Sequence, residues 1–496
     1  MPRTARKQRG AGMAVKEFKG KIFYPVLYEG DAAAALESAS VVNSKQKAVP
    51  VFREINMHCE EMRRGLGGML GGDAAPGRIA RVFEAARPEV FCFPKRGGNA
   101  AFYPRTGGKV NIRLTGTRFI LFETHVAFFE MDFELSELSL EDAMNATYYL
   151  CEVKDEANHF EYEKRTFDAH TRQPGSEHIS FSLKKWFLQC AAYLPGCENF
   201  EDHGIESTVN KPLLYGYYLL DEKPEDFERI SCNIAQNYKA SYKGLEGDDR
   251  HVLHAFDNSC WCASYNGAVN VSYEVEDPVT NSFFKTAFPH KWESEYLFLF
   301  LNTVHQKYAV LKYLAELSGL SSAHYDYALM KRLLLQGEIM QEKCEVLKTR
   351  CFFNLPSNVE HVNRVYSFFQ RCFDIPGYRA SLNAGVKGSV NVCKSYVTRI
   401  KEIENLEKSA KTTKNEMYIA LITASITCLT FFNSSYTTLT SLFQGRFGEI
   451  GVSAIIVTAT FLTTITTVVF NLSKQRETLE ETRKKIKKLK SKTIEL

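Results

Sequence analysis

Two apolar segments near the C-terminus constrain this chain more than any other feature of the sequence. Residues 417–443 and 450–472 are each long enough to cross a bilayer, for which a helix needs roughly 20 residues. Between residues 417 and 472 the charged side chains are Arg446 and Glu449 alone. Because the linker between the segments, QGRFGEIG, is short and contains glycines, we expect a tight helical hairpin that crosses the membrane twice.

The charges that flank this hairpin predict its orientation. Lys408, Lys411 and Lys414 precede the first span, and a basic tail, 473–496, follows the second. The positive-inside rule therefore places both ends of the hairpin in the cytoplasm and only the short turn outside. At the other end of the chain, residues 1–19 are basic and have no apolar run behind them, which indicates a disordered lead rather than a signal peptide.

Hydroxyl side chains form a stripe along the first span. They recur at steps of three and four residues, a period of 3.5 that puts them on one face of a helix: Thr423, Thr427, Thr430, Ser434, Thr437 and Ser441. Two interpretations stay open, because small hydroxyl residues serve close helix packing and also suit a water-filled lumen. A single hairpin cannot enclose a pore, so conduction requires several copies. No charged residue lies within either span, which argues against a pump or a voltage sensor.

The segment before the first span, 389–416, contains no Pro or Gly and is predicted to be a stalk helix. Its apolar residues mark a seam with a spacing near 3.5: Val390, Cys393, Val397, Ile400 and Leu406. A helix that is so polar elsewhere needs a partner for that seam, and self-association of several stalks supplies one.

Residues 291–388 are predicted to form a helical subdomain, broken by SGLSS, NLPSN and DIPGY. The apolar run 296–301 is the one part of it that resembles a further span. His305, Gln306 and Lys307 follow that run within one turn, so we expect a buried core helix there.

Residues 20–290 alternate strand-like and helix-like segments, which predicts an α+β cytoplasmic domain. β-branched and aromatic residues predict strands at 22–28, 110–115, 118–122, 126–134, 213–220 and 268–275. Acidic residues early in 139–155 suit the start of a helix. The glycine-rich stretch 65–77 follows no strand and fails the spacing of a nucleotide-binding loop, so a surface loop is expected.

Composition and motifs exclude several classes of function. The net charge of +4 is too small to argue for direct nucleic-acid binding. The 13 cysteines have no repeating spacing and indicate reduced thiols in the cytosol. No paired cysteines or histidines have the spacing of a zinc site, and neither a P-loop nor a serine or zinc hydrolase motif is present. We therefore expect no enzyme, no metal site and no cofactor.

Basic residues stand beside aromatic residues in three places that are candidates for binding a phosphate and stacking on a base. These are Lys164 with Arg165, Lys184 with Lys185 and Trp186, and the stretch that contains Tyr238, Lys239, Tyr242 and Lys243. Taken one at a time, such groups are also ordinary solvated surface, and the sequence leaves both interpretations open.

A cytoplasmic α+β domain, a helical stalk and a two-helix C-terminal hairpin resemble the plan of the CorA magnesium-transporter superfamily over about residues 290–475. Those transporters carry Gly-Met-Asn at the outer end of the first span. Phe432, Asn433 and Ser434 stand there instead, with Gln444-Gly445-Arg446 farther on. The resemblance implies a homo-oligomer. The missing triplet puts magnesium selectivity in doubt. Asn433 is nevertheless expected to present a ring of amides in an oligomer.

Four stretches are similar to a narrower group, the CorA-like membrane effectors of type III CRISPR systems: RFILFETHVAFFEMDFE (118–134), NATYYLCEVK (145–154), CWCASYNGAVNVSYE (260–274) and YLFLFLNTVHQKYAVLK (296–312). This resemblance implies an antiviral effector in a bacterial inner membrane, activated by the nucleotide second messenger SAM-AMP. Such a ligand requires aromatic faces, cations and amides. The candidates by residue chemistry are Lys164, Arg165, Lys184, Lys185, Tyr242, Lys243, Trp261 and Asn266.

Three hypotheses therefore remain at the level of sequence. The first is a ligand-gated membrane effector whose stripe lines a pore. The second is a divalent-cation transporter of the CorA type, which the missing triplet disfavours. The third is a membrane-anchored scaffold whose hairpin is only an anchor.

Overall fold

The computed structural model describes residues 13–42, 46–57, 59–63, 66, 69–71, 78–94, 97–106, 108–136, 138–152, 156–167, 174–198, 212–239, 251–318, 327–443 and 447–494. The chain divides into two compact units. The first comprises residues 1–319 and 340–385, and the second comprises residues 320–339 and 386–496.

A mixed sheet of fourteen described strands organises the first unit. Its strands, together with the separate pair β2–β3, are β1 (Ala14–Leu27), β2 (Ser40–Val42), β3 (Ala48–Pro50), β4 (Phe52–Met57), β5 (Leu70–Gly71), β6 (Ala80–Ala85), β7 (Gly98–Tyr103), β8 (Val110–Phe122), β9 (Val126–Leu135), β10 (Leu138–Ser139), β11 (His159–Phe167), β12 (Pro174–Ser182), β13 (Leu213–Leu220), β14 (Val252–Phe256), β15 (Ser259–Ser264) and β16 (Gly267–Tyr273). The main order is β12-β11-β7-β8-β9-β1-β13-β16-β15-β14. β6 joins β4 and β5 to β8, β10 pairs with β1, and β13 runs parallel to β16.

Every predicted strand lies on an observed strand, but 22–28 is only the second half of the longer β1, and two predicted strands are one. The segments 110–115 and 118–122 belong to a single strand, β8, whose pairing with β9 shifts register between Leu114 and Gly116. Such a bulge bends a strand without ending it. At the start of β16, Gly267 is required by close approach, since a Cβ there would lie 2.0 Å from the Leu214 carbonyl oxygen.

The helices are α1 (Ala32–Ser38), α2 (Leu140–Leu150), α3 (Leu183–Ala191), α4 (Phe227–Ala235), α5 (Pro278–Ser282), α6 (Phe288–Lys291), α7 (Leu297–Ser318), α8 (Tyr327–Cys351), α9 (Glu360–Cys372), α10 (Ile375–Phe443) and α11 (Phe447–Ile494). The predicted helix 139–155 corresponds to α2, which ends earlier, at Leu150, and the Ser139 side chain caps it by accepting the Asp142 amide. Two π-helical turns, Phe283–Ala287 and Trp292–Tyr296, flank α6.

The predicted core helix is confirmed as α7, whose residues from Leu297 to Val310 are buried. The polar residues that follow the apolar run are buried as well, so they do not mark the exposed side of the helix. The side-chain nitrogen of Gln306 donates to the Cys351 carbonyl at 2.7 Å, and His305 contacts the Thr124 hydroxyl at 2.9 Å. These partners satisfy one polar atom of each side chain, whereas His305 Nδ1 and Gln306 Oε1 are buried without a hydrogen-bond partner among the described residues.

Two long helices dominate the second unit. The predicted stalk 389–416 is helical and continues without a break into 417–443, since both belong to α10. Ring centroids of Phe431 and Phe461 lie 3.9 Å apart, and Lys490 Nζ lies 2.8 Å from Glu407. Because the later residue of α11 meets the earlier residue of α10, the two helices run antiparallel, and the basic tail lies beside the stalk.

The seam of the stalk finds part of its partner within the same chain. Cys393 and Val397 pack with Met330 and Leu333 of α8 in a small buried cluster. Ile403, which was not assigned to the seam, is buried too.

Candidate ligand sites and exposed apolar helices

The structure separates the ligand residues predicted from the sequence. Lys164 and Arg165 are exposed on β11, where Lys164 forms an ion pair with Glu177 at 3.5 Å. Lys184, near the start of α3, donates to Glu156 at 2.6 Å, and Lys185 is exposed beside it. β11 is second and β15, which carries Trp261, is ninth in the main strand order, so these residues belong to different parts of the sheet.

Trp261 and Asn266 have structural partners. Trp261 is fully buried, with ring centroids of Tyr296 and Phe369 at 5.1 and 5.5 Å. Asn266 lies in the turn between β15 and β16 and donates to the Gln236 carbonyl at 2.9 Å. The predicted residues Tyr242 and Lys243 lie outside the described residues.

A buried ladder of charges crosses the centre of the sheet, and the sequence analysis missed it. Lys21 on β1 lies 2.9 Å from Asp132 and 3.2 Å from Glu130, and Arg118 on β8 lies 3.0 Å from Glu130. Lys21 and Glu130 are at most 1% exposed. The sequence does contain a signal for this ladder, since its charged residues stand at alternating positions of otherwise apolar strands.

The pKa values of this ladder reflect its pairing. Burial alone lowers the pKa of Lys21, but the charges of Asp132 and Glu130 outweigh it and raise that pKa. Burial likewise raises the pKa of Asp132, but the charges of Lys21 and Arg118 outweigh it and hold that pKa below its usual value. Two cations face two carboxylates and balance their charge, so the ladder does not require an ionic ligand.

A groove of about 610 Å³ on the first unit has a different charge balance. α9, the loop before it, β14 and the segment around residue 63 supply its lining: Arg63, Leu253, Leu355, Ser357, Asn358, Glu360, Asn363, Arg364, Ser367, Phe368 and Arg371. Three of these side chains are arginines and one is acidic. We call it the arginine groove. A second cavity, of about 690 Å³ beside the first π-helical turn, has Asp257 and no basic residue in its lining.

Hydrogen bonds hold the loop that forms one wall of the arginine groove. The Asn363 side chain accepts the Ser357 amide at 3.0 Å and donates to its carbonyl at 2.9 Å. The buried Ser357 hydroxyl donates to the Glu61 carbonyl at 2.6 Å, and the Arg63 amide donates to the Pro356 carbonyl at 2.9 Å. The wall that carries Arg63 and the wall that carries Asn363 are thereby tied together.

Lys307 is a buried cation of the first unit for which the described residues provide no ion pair. Its Nζ lies 5.2 Å from the ring centre of Tyr265 and 5.7 Å from that of Phe373. Burial lowers its pKa to about 8. Aromatic faces attract a cation but restore only part of the hydration that burial removes.

α10 has large exposed apolar side chains within the described residues. Within the part of the chain that the structure describes, one helical stretch, Ile375–Thr437, is long and apolar enough to cross a membrane by length and composition. Large apolar side chains on it are more than half exposed: Tyr418, Ile419, Ile422, Ile426, Leu429, Phe432 and Tyr436. The predicted second span lies within α11, while residues 444–446 of the linker fall outside the described residues.

The hydroxyl stripe is bonded to its own helix. Thr423, Thr427, Thr430 and Thr437 each donate to the carbonyl four residues earlier at 2.8 to 2.9 Å. Asn433 is exposed, Ser434 is partly exposed, and the side chain of Ser441 lies outside the described residues. Such back-bonding satisfies each donor in lipid and leaves the oxygen able to accept from water, so both interpretations of the stripe remain open.

No protein-family model, curated protein or solved structure matches this chain.

Proposed function

We propose that this protein is a membrane effector of bacterial antiviral defence, in which a nucleotide second messenger of the SAM-AMP type binds the first unit and opens or disturbs an oligomer of the C-terminal helices. The observation that carries the membrane part is the uncovered apolar face of α10, which continues directly from a charged stalk. The resemblance to CorA-like CRISPR effectors carries the messenger part.

The energetics favour a membrane for α10. Burying a large apolar side chain is worth about 1.5–3 kcal/mol, and Ile419, Ile422, Ile426, Leu429 and Phe432 are each more than half exposed. Transfer of these five alone is then worth roughly 5–10 kcal/mol. In the proposed topology α10 and α11 both cross the inner membrane, and both termini remain in the cytoplasm.

Gating requires only that the messenger prefers one arrangement of the protein. A ligand shifts an equilibrium between two states as far as its affinities for them differ. With the stripe facing a lumen between several copies, the open state would be weakly selective, because hydroxyls and the Asn433 amide carry no net charge.

A liposome experiment tests this proposal. The purified protein is reconstituted into vesicles loaded with a small fluorescent dye and with a magnesium indicator, and leakage is followed before and after addition of SAM-AMP or cyclic oligoadenylates. Release that depends on one of these messengers supports the proposal. Magnesium entry without any messenger favours a CorA-type transporter, and tight vesicles under all conditions favour a scaffold.

A further inference from the structure

We propose that the arginine groove is the nucleotide-binding site and that its arginines hold the phosphodiester of the ligand. This inference rests on the proposed function in that the ligand is taken to be the messenger. A volume of about 610 Å³ lies within the range of roughly 300–1,000 Å³ that is usual for small-molecule sites.

The charges of the groove call for an anionic ligand. Arg63, Arg364 and Arg371 make no ion pair with any described residue, and Glu360 is the one acidic residue in the lining. Guanidinium groups bind phosphate oxygens through two parallel hydrogen bonds, which gives both strength and geometry. Arg364 and Arg371 lie about two turns apart on α9, and Arg63 lies on the opposite wall, so guanidinium groups border the groove on both sides.

The remaining lining suits a base. Leu253 and Leu355 offer apolar surface, and Leu355 is 50% exposed although its loop is hydrogen-bonded in place. Asn358 is exposed beside them, and its carboxamide makes no hydrogen bond within the part of the chain that the structure describes. A carboxamide can pair with the edge of an adenine through one donor and one acceptor.

The position of the groove also connects a ligand to the long helix. α9 supplies Arg364, Ser367 and Arg371 to the lining, and it ends at Cys372, three residues before α10 begins. Asp374 turns the chain between the two helices with a φ of 51°. A ligand that holds α9 therefore acts on the element that leads into α10.

Binding to the detergent-solubilised full-length protein tests the inference. Isothermal titration is performed with SAM-AMP, cyclic tetra-adenylate and ATP on the wild type, on Arg364→Gln with Arg371→Gln, and on the matched pair Lys164→Gln with Arg165→Gln. Loss of two charge-assisted contacts is expected to weaken binding about 100-fold or more in the groove variant. The β11 variant also loses two positive charges, but from the site that the sequence predicted. Its affinity is expected to stay within about threefold of the wild-type affinity.

Each result then has one meaning. Messenger binding that survives the groove substitutions overturns the inference and leaves the proposed function standing. Arginine-dependent binding of ATP alone keeps the groove as a nucleotide site and removes the messenger from the proposed function. If none of the three compounds binds the wild type, both proposals fail.

A conservative variant guards against misfolding. Arg364→Lys with Arg371→Lys keeps the charge and loses the bidentate geometry, so its affinity is expected to lie between those of the wild type and the glutamine variant. Arg63→Gln, on the opposite wall, is expected to weaken binding by about tenfold. Wild-type affinity in both would also overturn the inference.

Discussion

The buried charge ladder gives the most quantitative test of the structure. Replacing Lys21 by Met keeps the length of the side chain but leaves Glu130 and Asp132 with Arg118 as their one close cation among the described residues. We expect Lys21→Met to lower the free energy of unfolding of the first unit strongly. The matched control is Lys19→Met, two residues earlier on the same face of β1.

The distances set the magnitude. Lys21 Nζ lies 3.2 Å from Glu130 and 2.9 Å from Asp132. At these distances each Coulomb attraction is worth about 5 kcal/mol with an effective dielectric constant of about 20. The desolvation of the buried charges offsets much of this, and loss of one partner from a buried ion pair typically costs about 3–5 kcal/mol. Lys19 is 22% exposed and its carboxylates lie at 3.6 and 3.8 Å, so its replacement should cost less than about 1 kcal/mol.

Tryptophan fluorescence is a suitable signal for this measurement. The chain has three tryptophans, and Trp186, Trp261 and Trp292 are all buried in the first unit. Urea unfolding of the solubilised protein should show a large decrease in the free energy of unfolding for Lys21→Met. Adding Asp132→Asn to this variant should restore part of that free energy. Recovery is expected because Arg118 and Glu130 then remain as a balanced pair. Equal effects of Lys21→Met and Lys19→Met would refute the electrostatic argument.

Two further predictions concern the spans and the buried lysine. Thr427→Leu with Thr430→Leu should abolish messenger-dependent dye release without reducing membrane insertion. The control, Thr463→Leu with Thr466→Leu, should leave dye release intact. Equal dye release from the two double variants would exclude a lumen along the stripe. Burial lowers the pKa of Lys307 to about 8, so the folded protein binds fewer protons than the unfolded chain between about pH 8 and pH 10.5. Wild-type stability should therefore rise by about 2 kcal/mol between pH 8 and pH 9.5, relative to Lys307→Met, in thermal unfolding; parallel pH curves would contradict this.

The sequence predicted the elements better than their contacts. Strands such as β9 and β13 were identified because their composition and alternation are local properties. β8 was divided into two strands because Gly116 and Thr117 interrupt its pattern, whereas pairing with β9 carries the chain through a bulge. That pairing depends on a neighbouring strand and cannot be seen in a short window of residues.

The arginine groove was missed for a related reason. Cations beside aromatic residues in the sequence pointed to Lys164 and Lys184, which the fold pairs with carboxylates. Arg63 and Arg364 are far apart along the chain and become walls of one groove only because the loop at Ser357 is tied to both. The spacing of residues along the sequence does not show that Arg63 and Arg364 come together.

The partners of the stalk change where an oligomer would have to form. The seam of 389–416 was expected to require other copies of the chain, yet Cys393 and Val397 are covered by α8, and Glu407 pairs with Lys490 of α11. An interaction that is already satisfied within one chain contributes little drive for self-association. The uncovered apolar surface lies farther along α10, around Leu429, where small hydroxyl residues permit close helix approach. In the proposed oligomer, we therefore expect the spans to supply more of the contacts between copies than the stalk does.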